Sequence, residues 1–153
     1  MSEGAKRHAG RRFRQRVVDW YERAKYDIDK ALFDFGAGWY PDVCYHSQQS
    51  AEKILKAFLW AHGVRIKGHR IEDLMELAEN YGIDFSNLLR DRERVEELSD
   101  QYFAPRYPNF RSRRGERKVW KMEDYTEDLA KSCLEVTKEI WRKVERSIKE
   151  VLG

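Results

Sequence analysis

Apolar residues recur at three- and four-residue intervals through most of the chain, the spacing that one face of an α-helix requires. The first such stretch predicts a helix over about 12–35 and the second over about 41–62, with Gly36 and Gly38 between them. Pro41 begins the second stretch, at a position where a missing amide hydrogen costs little. A connection this short favours antiparallel neighbouring helices.

The remaining pattern predicts a third helix over about 71–81, a fourth over about 86–103 and a last helix over about 123–151. Residues 104–121 form the one long segment without helical periodicity. Loops of that length in compact domains are usually functional or disordered. The chain is therefore predicted to be all-α, an up-and-down helical bundle of four to five helices.

The composition agrees with a single folded domain. The 153 residues are 41% hydrophobic and 37% charged, which allows one core under a highly charged surface. We expect this domain to span 12–151, after a basic and flexible segment at 1–11. No apolar run approaches the roughly 20 residues that cross a bilayer, and no secretory signal is recognisable, so a cytoplasmic protein is predicted. The abundance of Arg, Lys, Glu, Trp and Tyr would suit a thermophile.

Residue types that bind metals or cofactors are not arranged in a binding pattern. Cys44 and Cys133 are far apart in sequence, which favours two reduced thiols packed in the core. The histidines and carboxylates show no HExxH-like spacing, and Gly36-Ala37-Gly38 lacks the lysine of a phosphate loop. No metal and no cofactor are predicted.

Positive charge is concentrated in two segments. Residues 1–16 hold six basic residues against one acidic residue, and residues 104–121 hold seven against one, although the whole chain has a net charge of only +3. Segregation of this kind favours a localised anionic partner such as RNA, a nucleotide or an acidic protein face. Solvated, mobile segments are the alternative.

A run of four polar residues, 47–50, interrupts the apolar pattern of the second helix. His46 and Ser47 point about 100° apart on a helix and so do not form a base–nucleophile pair. Gln48 lies on the apolar stripe, so we expect its amide to be buried and bonded to a neighbouring helix, near Asp27 or Tyr26. Buried amides and hydroxyls need partners, and the run therefore predicts a polar interface.

Charged residues follow this run in the same helix. Glu52 and Lys56 are four residues apart and are expected to pair on a solvated face. Lys53 could contact phosphate from the same helix.

The best candidate for a binding segment lies within 104–121. It combines guanidinium groups, which bind phosphate, with rings on which bases stack. Alternatively, Tyr107 and Phe110 only hold the loop against the bundle, and the arginines pair with nearby carboxylates. The candidate residues are Arg106, Tyr107, Asn109, Arg111, Arg113 and Arg114.

Several short matches in the same order resemble the HEPN domain family. They are Trp20 with Ala24 and Asp27, the Ser-Gln-Gln-Ser-Ala-Glu-Lys run at 47–53, His69, and Arg-Tyr-Pro at 106–108. The resemblance implies a helical bundle that tends to form a homodimer and is often encoded beside a nucleotidyltransferase-like partner. Some members of the family bind nucleotides, and others are RNA-cleaving toxins.

The chain departs from the cleaving members in one respect. They carry an arginine and a later histidine with four to six residues between them, whereas none of the four histidines here lies after His69. The sequence therefore predicts a nucleotide- or RNA-associated binding module of a toxin–antitoxin-like pair and no catalytic residue. The alternatives are a ribonuclease using Arg106, Tyr107 and His69, and a scaffold without a ligand.

Two further expectations concern packing. His69 is expected to bond across the bundle and fix the start of the third helix, as part of a polar network with Gln48 and Asp27. A homodimer is favoured because the large aromatic residues exceed what one small core readily buries. These aromatic residues are Trp39, Tyr40, Trp60, Trp120 and Trp141.

Overall fold

The computed structural model of the chain describes residues 2–112 and 119–153. Within these ranges the all-α prediction is confirmed, and no strand is present. A short 3-10 helix, Met122–Asp124, precedes the last α-helix, and a single antiparallel bridge joins Arg111 to Val119. The α-helices are α1 (Glu3–Ala37), α2 (Tyr40–Ala61), α3 (Ile71–Glu79), α4 (Ser86–Arg90), α5 (Arg92–Asp100) and α6 (Glu127–Leu152).

The helices differ from the predicted ones chiefly at three places. α1 begins at Glu3, so most of the basic segment at 1–11 continues the helix, because its two alanines, two arginines and one lysine favour helical backbone. The predicted fourth helix divides into α4 and α5 at Asp91, whose φ of −101° and ψ of 57° are not helical. α6 begins after Thr126, whose side chain accepts a hydrogen bond from the backbone of Leu129.

The turn between α1 and α2 makes these two helices antiparallel neighbours. Gly38 has a φ of 76°, a left-handed conformation that glycine adopts without steric cost. The backbone of Trp39 then bonds to the carbonyl of Asp34 at 3.0 Å and closes the turn. α6 packs along α2, while α3 and α5 close one side of the bundle. The largest fully buried side chains include Phe58, Phe85, Ile54, Leu55, Leu59 and Ile140.

The core accommodates more of the aromatic residues than we expected. Trp120 and Trp141 are buried, whereas Tyr40 and Trp60 are partly buried. Of the five aromatic residues offered as surplus, only Trp39 is exposed, at 54%. Exposed large apolar residues include Tyr26, Leu32 and Phe33 on α1, and Tyr107 and Met122 outside the α-helices.

Cys44 and Cys133 meet in the core although they are far apart in sequence. Both are buried free thiols. A hydrogen bond with Cys44 and the burial of the site raise the pKa of Cys133 well above its ordinary value. Cys133 therefore remains protonated, and the burial of both residues agrees with the predicted packed thiols. In the described ranges no helix combines the length and apolarity needed to cross a bilayer.

Candidate nucleotide-binding surface

The polar run of α2 is a packing interface. Ser50 donates a hydrogen bond to the carbonyl of Ala24 in α1 and accepts one from the indole of Trp141 in α6, both at 2.8 Å. Thr137 of α6 donates to the carbonyl of Ser47 at 3.0 Å. The run thus joins the three long helices through bonds that a purely apolar interface would lack.

Gln48 is fully buried, but its partners are not those we expected. Its amide donates to Glu52 at 3.1 Å and to the backbone carbonyl of His69 at 3.2 Å, and it accepts from Gln49 at 2.7 Å. Asp27 belongs to a different cluster. The reason is helical geometry, because Gln48 lies about 200° around α2 from His46, the residue that faces Asp27.

The first cluster joins α1 to α2 around the buried carboxylate of Asp27. One of its oxygens lies 3.0 Å from Nδ1 of His46, and the other lies 2.6 Å from the ammonium of Lys53. His46 and Lys53 are seven residues apart, which places them two turns apart on one face of α2. Their side chains remain 21% and 22% exposed, respectively. Asp27 therefore orients two groups that solvent can still reach.

The second cluster lies around the carboxylate of Glu52. Lys56 contacts it at 2.9 Å, and Nδ1 of His69 lies 3.1 Å from both of its oxygens. The ring of His69 stacks on Tyr102, with centroids 4.0 Å apart. Glu52 and Lys56 are both buried, so the expected solvated pair is wrong. His69, in the loop before α3, contacts Glu52, and the ring of Trp20 in α1 covers Lys56.

A third cluster holds the end of α5 against the start of α3. The guanidinium of Arg70 donates to Glu72 at 2.8 Å and to Asp100 at 3.0 Å. Asp100 also accepts from the indole of Trp120 at 3.2 Å. Burial raises the pKa of Glu72, and the neighbouring Arg70 partly offsets this effect. The cluster fixes the position from which the predicted binding segment departs.

The side chain of Arg106 extends from that segment to α2. Its guanidinium carbon lies 4.1 Å from the ring centroid of Tyr45, and the guanidinium also donates to the Tyr45 hydroxyl. Tyr45 in turn makes an edge contact with His46, with centroids 5.2 Å apart. A continuous row therefore runs from Arg106 through Tyr45 and His46 to the Asp27–Lys53 pair. No pattern in the sequence had indicated Tyr45.

The other predicted binding residues occupy different environments. Tyr107 is 52% exposed and lies 6.0 Å from the ring of Phe103, and Asn109 and Arg111 are also exposed. Phe110 stacks on Phe103, as the loop-holding alternative expected of it. Arg113 and Arg114 lie outside the described residues. The part of the segment that the structure describes thus combines two exposed cations with an exposed ring. We name Arg106, Tyr45, Lys53, Tyr107 and Arg111 the cation–ring surface.

The acidic side chains near this surface are not arranged as metal ligands. Among residues 2–112 and 119–153, no group of three or more histidine, cysteine or acidic side chains converges as a metal site would require. The acidic residues of the three clusters are instead bonded to cationic, indole or hydroxyl groups, including Ser99, which donates to Glu72 at 3.1 Å. The surface therefore offers cationic and aromatic contacts, which suit an anion attached to a ring.

Comparison with known proteins gives consistent matches. The model of the HEPN domain family matches residues 17–147. The protein named "Putative toxin MJ1304", from Methanocaldococcus jannaschii, is 29% identical over 140 residues, which are 86% of this chain and 88% of that protein. Crystal structures of TT1696 from Thermus thermophilus and of ST0689, an archaeal HEPN homologue, are similar, with TM-scores of 0.68 and 0.61 and identities of 30% and 28%. Each of these two structural matches covers 86% of this chain and 97% of the other.

Proposed function

Since the chain belongs to the HEPN domain family, we propose that it is a toxin-like binding module for nucleotides or RNA. The observation that carries the proposal is the Arg106–Tyr45 pair. Tyr45 holds the guanidinium by a ring contact and a hydrogen bond, which orients it before an anion arrives. Two donors of Arg106 can then contact a phosphate without the full entropic cost of ordering a free side chain.

The neighbours of Arg106 support the same ligand class. Tyr107 offers a half-exposed ring, and base stacking on such rings is tolerant of sequence. Arg111 and Lys53 add positive charge, although Asp27 neutralises part of the charge of Lys53. A cation–ring surface of this kind fits a single-stranded or nucleotide ligand better than a duplex, whose bases are already stacked.

Binding of a fluorescent single-stranded RNA, measured as a function of salt, tests the proposal. Arg106→Ala should weaken binding and lower the slope of log affinity against log salt by about 1. Arg146→Ala is the matched control, because it removes the same charge from a 91% exposed side chain on α6. α6 packs on the side of α2 that carries Ser47, about 200° from Tyr45. Equal losses in both variants would contradict a localised surface.

Cleavage of RNA is the second candidate function, and one observation favours it. The carboxylate of Asp27 holds Nδ1 of His46, and within the described part of the chain Nε2 has no hydrogen-bond partner. A carboxylate that fixes one ring nitrogen leaves the other able to exchange a proton. Arg106 reaches the same row through Tyr45. His69, the histidine suggested from the sequence, is instead stacked on Tyr102 and bonded to Glu52.

The corresponding reaction is a transesterification within the RNA. Nε2 of His46 takes the proton of a ribose 2′-hydroxyl, whose oxygen bonds to the adjacent phosphorus while the bond from phosphorus to the 5′-oxygen breaks. The leaving oxygen takes a proton from water, and His46 returns its own proton to solvent. Arg106 stabilises the extra negative charge on the phosphorane. The products are a 2′,3′-cyclic phosphate and a 5′-hydroxyl.

Product analysis decides between binding and cleavage. A mixed-sequence RNA should yield 2′,3′-cyclic phosphate ends with the unaltered protein and with His62→Asn, whereas His46→Asn should give at least about a hundredfold fewer. His62 is a suitable control because its Nδ1 bonds to the carbonyl of Phe58 at the other end of α2. An oligonucleotide of the same sequence with 2′-deoxy sugars should bind but stay intact, because it lacks the attacking 2′-hydroxyl. Binding without any cyclic ends would leave the binding module as the function.

We propose a homodimer formed through α1. Tyr26 and Phe33 are 67% and 68% exposed and lie seven residues apart, so they share one face of this helix, with Leu32 and Trp39 beside them. Exposed rings grouped in this way are typical of interfaces. Phe33→Asp should convert a dimer to a monomer in analytical ultracentrifugation, whereas Tyr81→Asp, in the turn after α3, should leave the mass unchanged. An unaltered mass for Phe33→Asp would place the interface elsewhere.

A partner protein completes the proposed assembly. The relative named a toxin supports a partner antitoxin, and we propose that this is a nucleotidyltransferase-like protein. Residues 12–151 would form the HEPN unit, with 1–11 as a basic extension available to that partner. Affinity purification followed by mass spectrometry tests this proposal, with a chain lacking residues 1–11 as the comparison. Recovery of the same partner with both chains would remove the extension from the interface.

A further inference from the structure

An apolar slot opens beside the cation–ring surface, between the turn after α5 and the segment that enters α6. Its volume is about 320 Å³, which is within the size range of small-molecule sites. The described residues of its walls are mainly apolar and include two proline rings. They include Ala104, Pro105, Pro108, Trp120, Lys121 and Met122.

Most of the slot is held rigidly. The indole of Trp120 donates to the carboxylate of Asp100 and packs 5.8 Å from the ring of Tyr125. The backbone of Ala104 bonds to the carbonyl of Asp100 at 3.0 Å. Since Asp100 also accepts from Arg70, both walls depend on the buried cluster at the end of α5. A preformed slot binds a flat ligand with little cost of reorganisation.

The mouth of the slot has a different character. Met122 is 73% exposed, and its flexible thioether can adapt to the face of a ring. Lys121 lies in the wall next to it, and Arg106 lies in the turn between the two wall prolines. The backbone of Arg111 pairs with Val119, which brings a third cationic residue to the same end of the molecule. Lys121 thus lines the slot directly, and Arg106 and Arg111 lie in the segments that adjoin its walls.

From this arrangement we infer that the slot binds the base of a nucleotide, with the phosphate directed to the cations at its mouth. The inference rests on the proposed nucleotide-binding function and specifies how the ligand is held. A base is flat and largely apolar on its faces, as the walls require, and its attached phosphate supplies the negative charge that Lys121 and Arg106 match. An apolar side chain of a partner protein would satisfy the walls but leave the cations without a counter-charge.

NMR of methyl-labelled methionine tests the inference in the full chain. Met122 lies at the slot, while Met75 is fully buried in the core and provides an internal reference. AMP, GMP, CMP and UMP are titrated separately, with ribose 5-phosphate and inorganic phosphate as probes that lack a base. At least one nucleotide should shift the Met122 signal and leave that of Met75 in place. A shift of Met122 with ribose 5-phosphate equal to that with every nucleotide would overturn the inference.

Calorimetry on two variants supplies a second readout. Met122→Ala should weaken nucleotide affinity about tenfold, because it removes apolar contact with the base. Met122→Leu, which keeps a similar volume, should retain most of the affinity. Equal nucleotide affinity of the unaltered protein and the two variants would overturn the inference. If no nucleotide moves the Met122 signal while RNA binding still depends on Arg106, the slot does not bind the base and the proposed function stands. If neither RNA nor any nucleotide binds, both proposals are wrong.

Discussion

The ammonium of Lys56 lies 2.9 Å from the carboxylate of Glu52, and both side chains are almost completely buried. The ring of Trp20 covers the ammonium at 5.5 Å, and Gln48 and His69 occupy the remaining acceptor positions of the carboxylate. A buried ion pair is tolerated only when such additional bonds satisfy it. The pair therefore depends on the loop before α3, and it fixes that loop against α2.

Removing only the charge of the Glu52 carboxylate should destabilise the folded protein. We expect Glu52→Gln to lower the free energy of unfolding by about 3 kcal/mol, because Lys56 then remains charged and buried without its counter-ion. Glu150→Gln, which alters an exposed pair with Arg146, should cost less than about 0.5 kcal/mol. Urea unfolding followed by circular dichroism measures both. A loss below about 1 kcal/mol for Glu52→Gln would mean that water reaches Lys56.

Ser50 and Ser47 offer a matched pair of substitutions in one helix. Ser50→Ala should lower the free energy of unfolding by about 1–3 kcal/mol, because the buried indole of Trp141 loses its acceptor. The hydroxyl of Ser47 is buried without a partner among the described residues, so Ser47→Ala should be neutral or stabilising. Chemical denaturation of the two variants makes the comparison directly. Equal destabilisation would show that volume, rather than hydrogen bonding, decides this interface.

The sequence was sufficient to predict the bundle and its family. The spacing of apolar residues predicts the long helices, because it follows the faces that are buried. The ordered matches that begin at Trp20 indicate the HEPN domain family, and the match to the family model confirms it. Helix ends were less predictable. Asp91 divides one predicted helix by its backbone angles, which no breaker residue in the sequence signals, and α1 extends to Glu3 because no proline stops it.

The candidate site was only partly predictable for a different reason. Arg106 and Tyr107 stood out by residue type, but their contacts join segments distant along the chain. Tyr45 meets Arg106 across 61 positions, and spacing within a helix cannot predict such a pairing. The sequence does not indicate a role for His46, because its neighbour Ser47 faces elsewhere, whereas its partner, Asp27, lies on another helix. Tertiary packing therefore determined which polar residues meet.

Tyr21 should give the protein a distinct alkaline transition. Burial and the hydrogen bond to Glu145 raise its pKa to about 12, above the ordinary value of 10.0. The folded state therefore holds the phenolic proton more tightly than the unfolded state, so this contribution to stability is complete below pH 10 and is lost as the pH rises towards 12. Ultraviolet titration should show one phenol that ionises at high pH in the unaltered protein and is missing from Tyr21→Phe. If the phenol that is missing from Tyr21→Phe instead ionised near the ordinary value of 10.0, that result would contradict the hydrogen bond.

Arg70→Met should destabilise the protein at neutral pH, and the loss of stability should become smaller at acidic pH. At neutral pH it should cost about 3 kcal/mol, because the buried carboxylate of Glu72 loses the opposing charge of Arg70. Arg70 opposes the burial that raises the pKa of Glu72, so its removal raises that pKa further. A raised folded-state pKa gives stability that is present below the unfolded pKa and is lost as the pH rises, so the deficit should shrink as the pH falls towards about 4. Urea unfolding across this range measures it, and Arg92→Met, at an exposed pair with Glu76, is the control. A deficit independent of pH would show that Arg70 acts through packing rather than through charge.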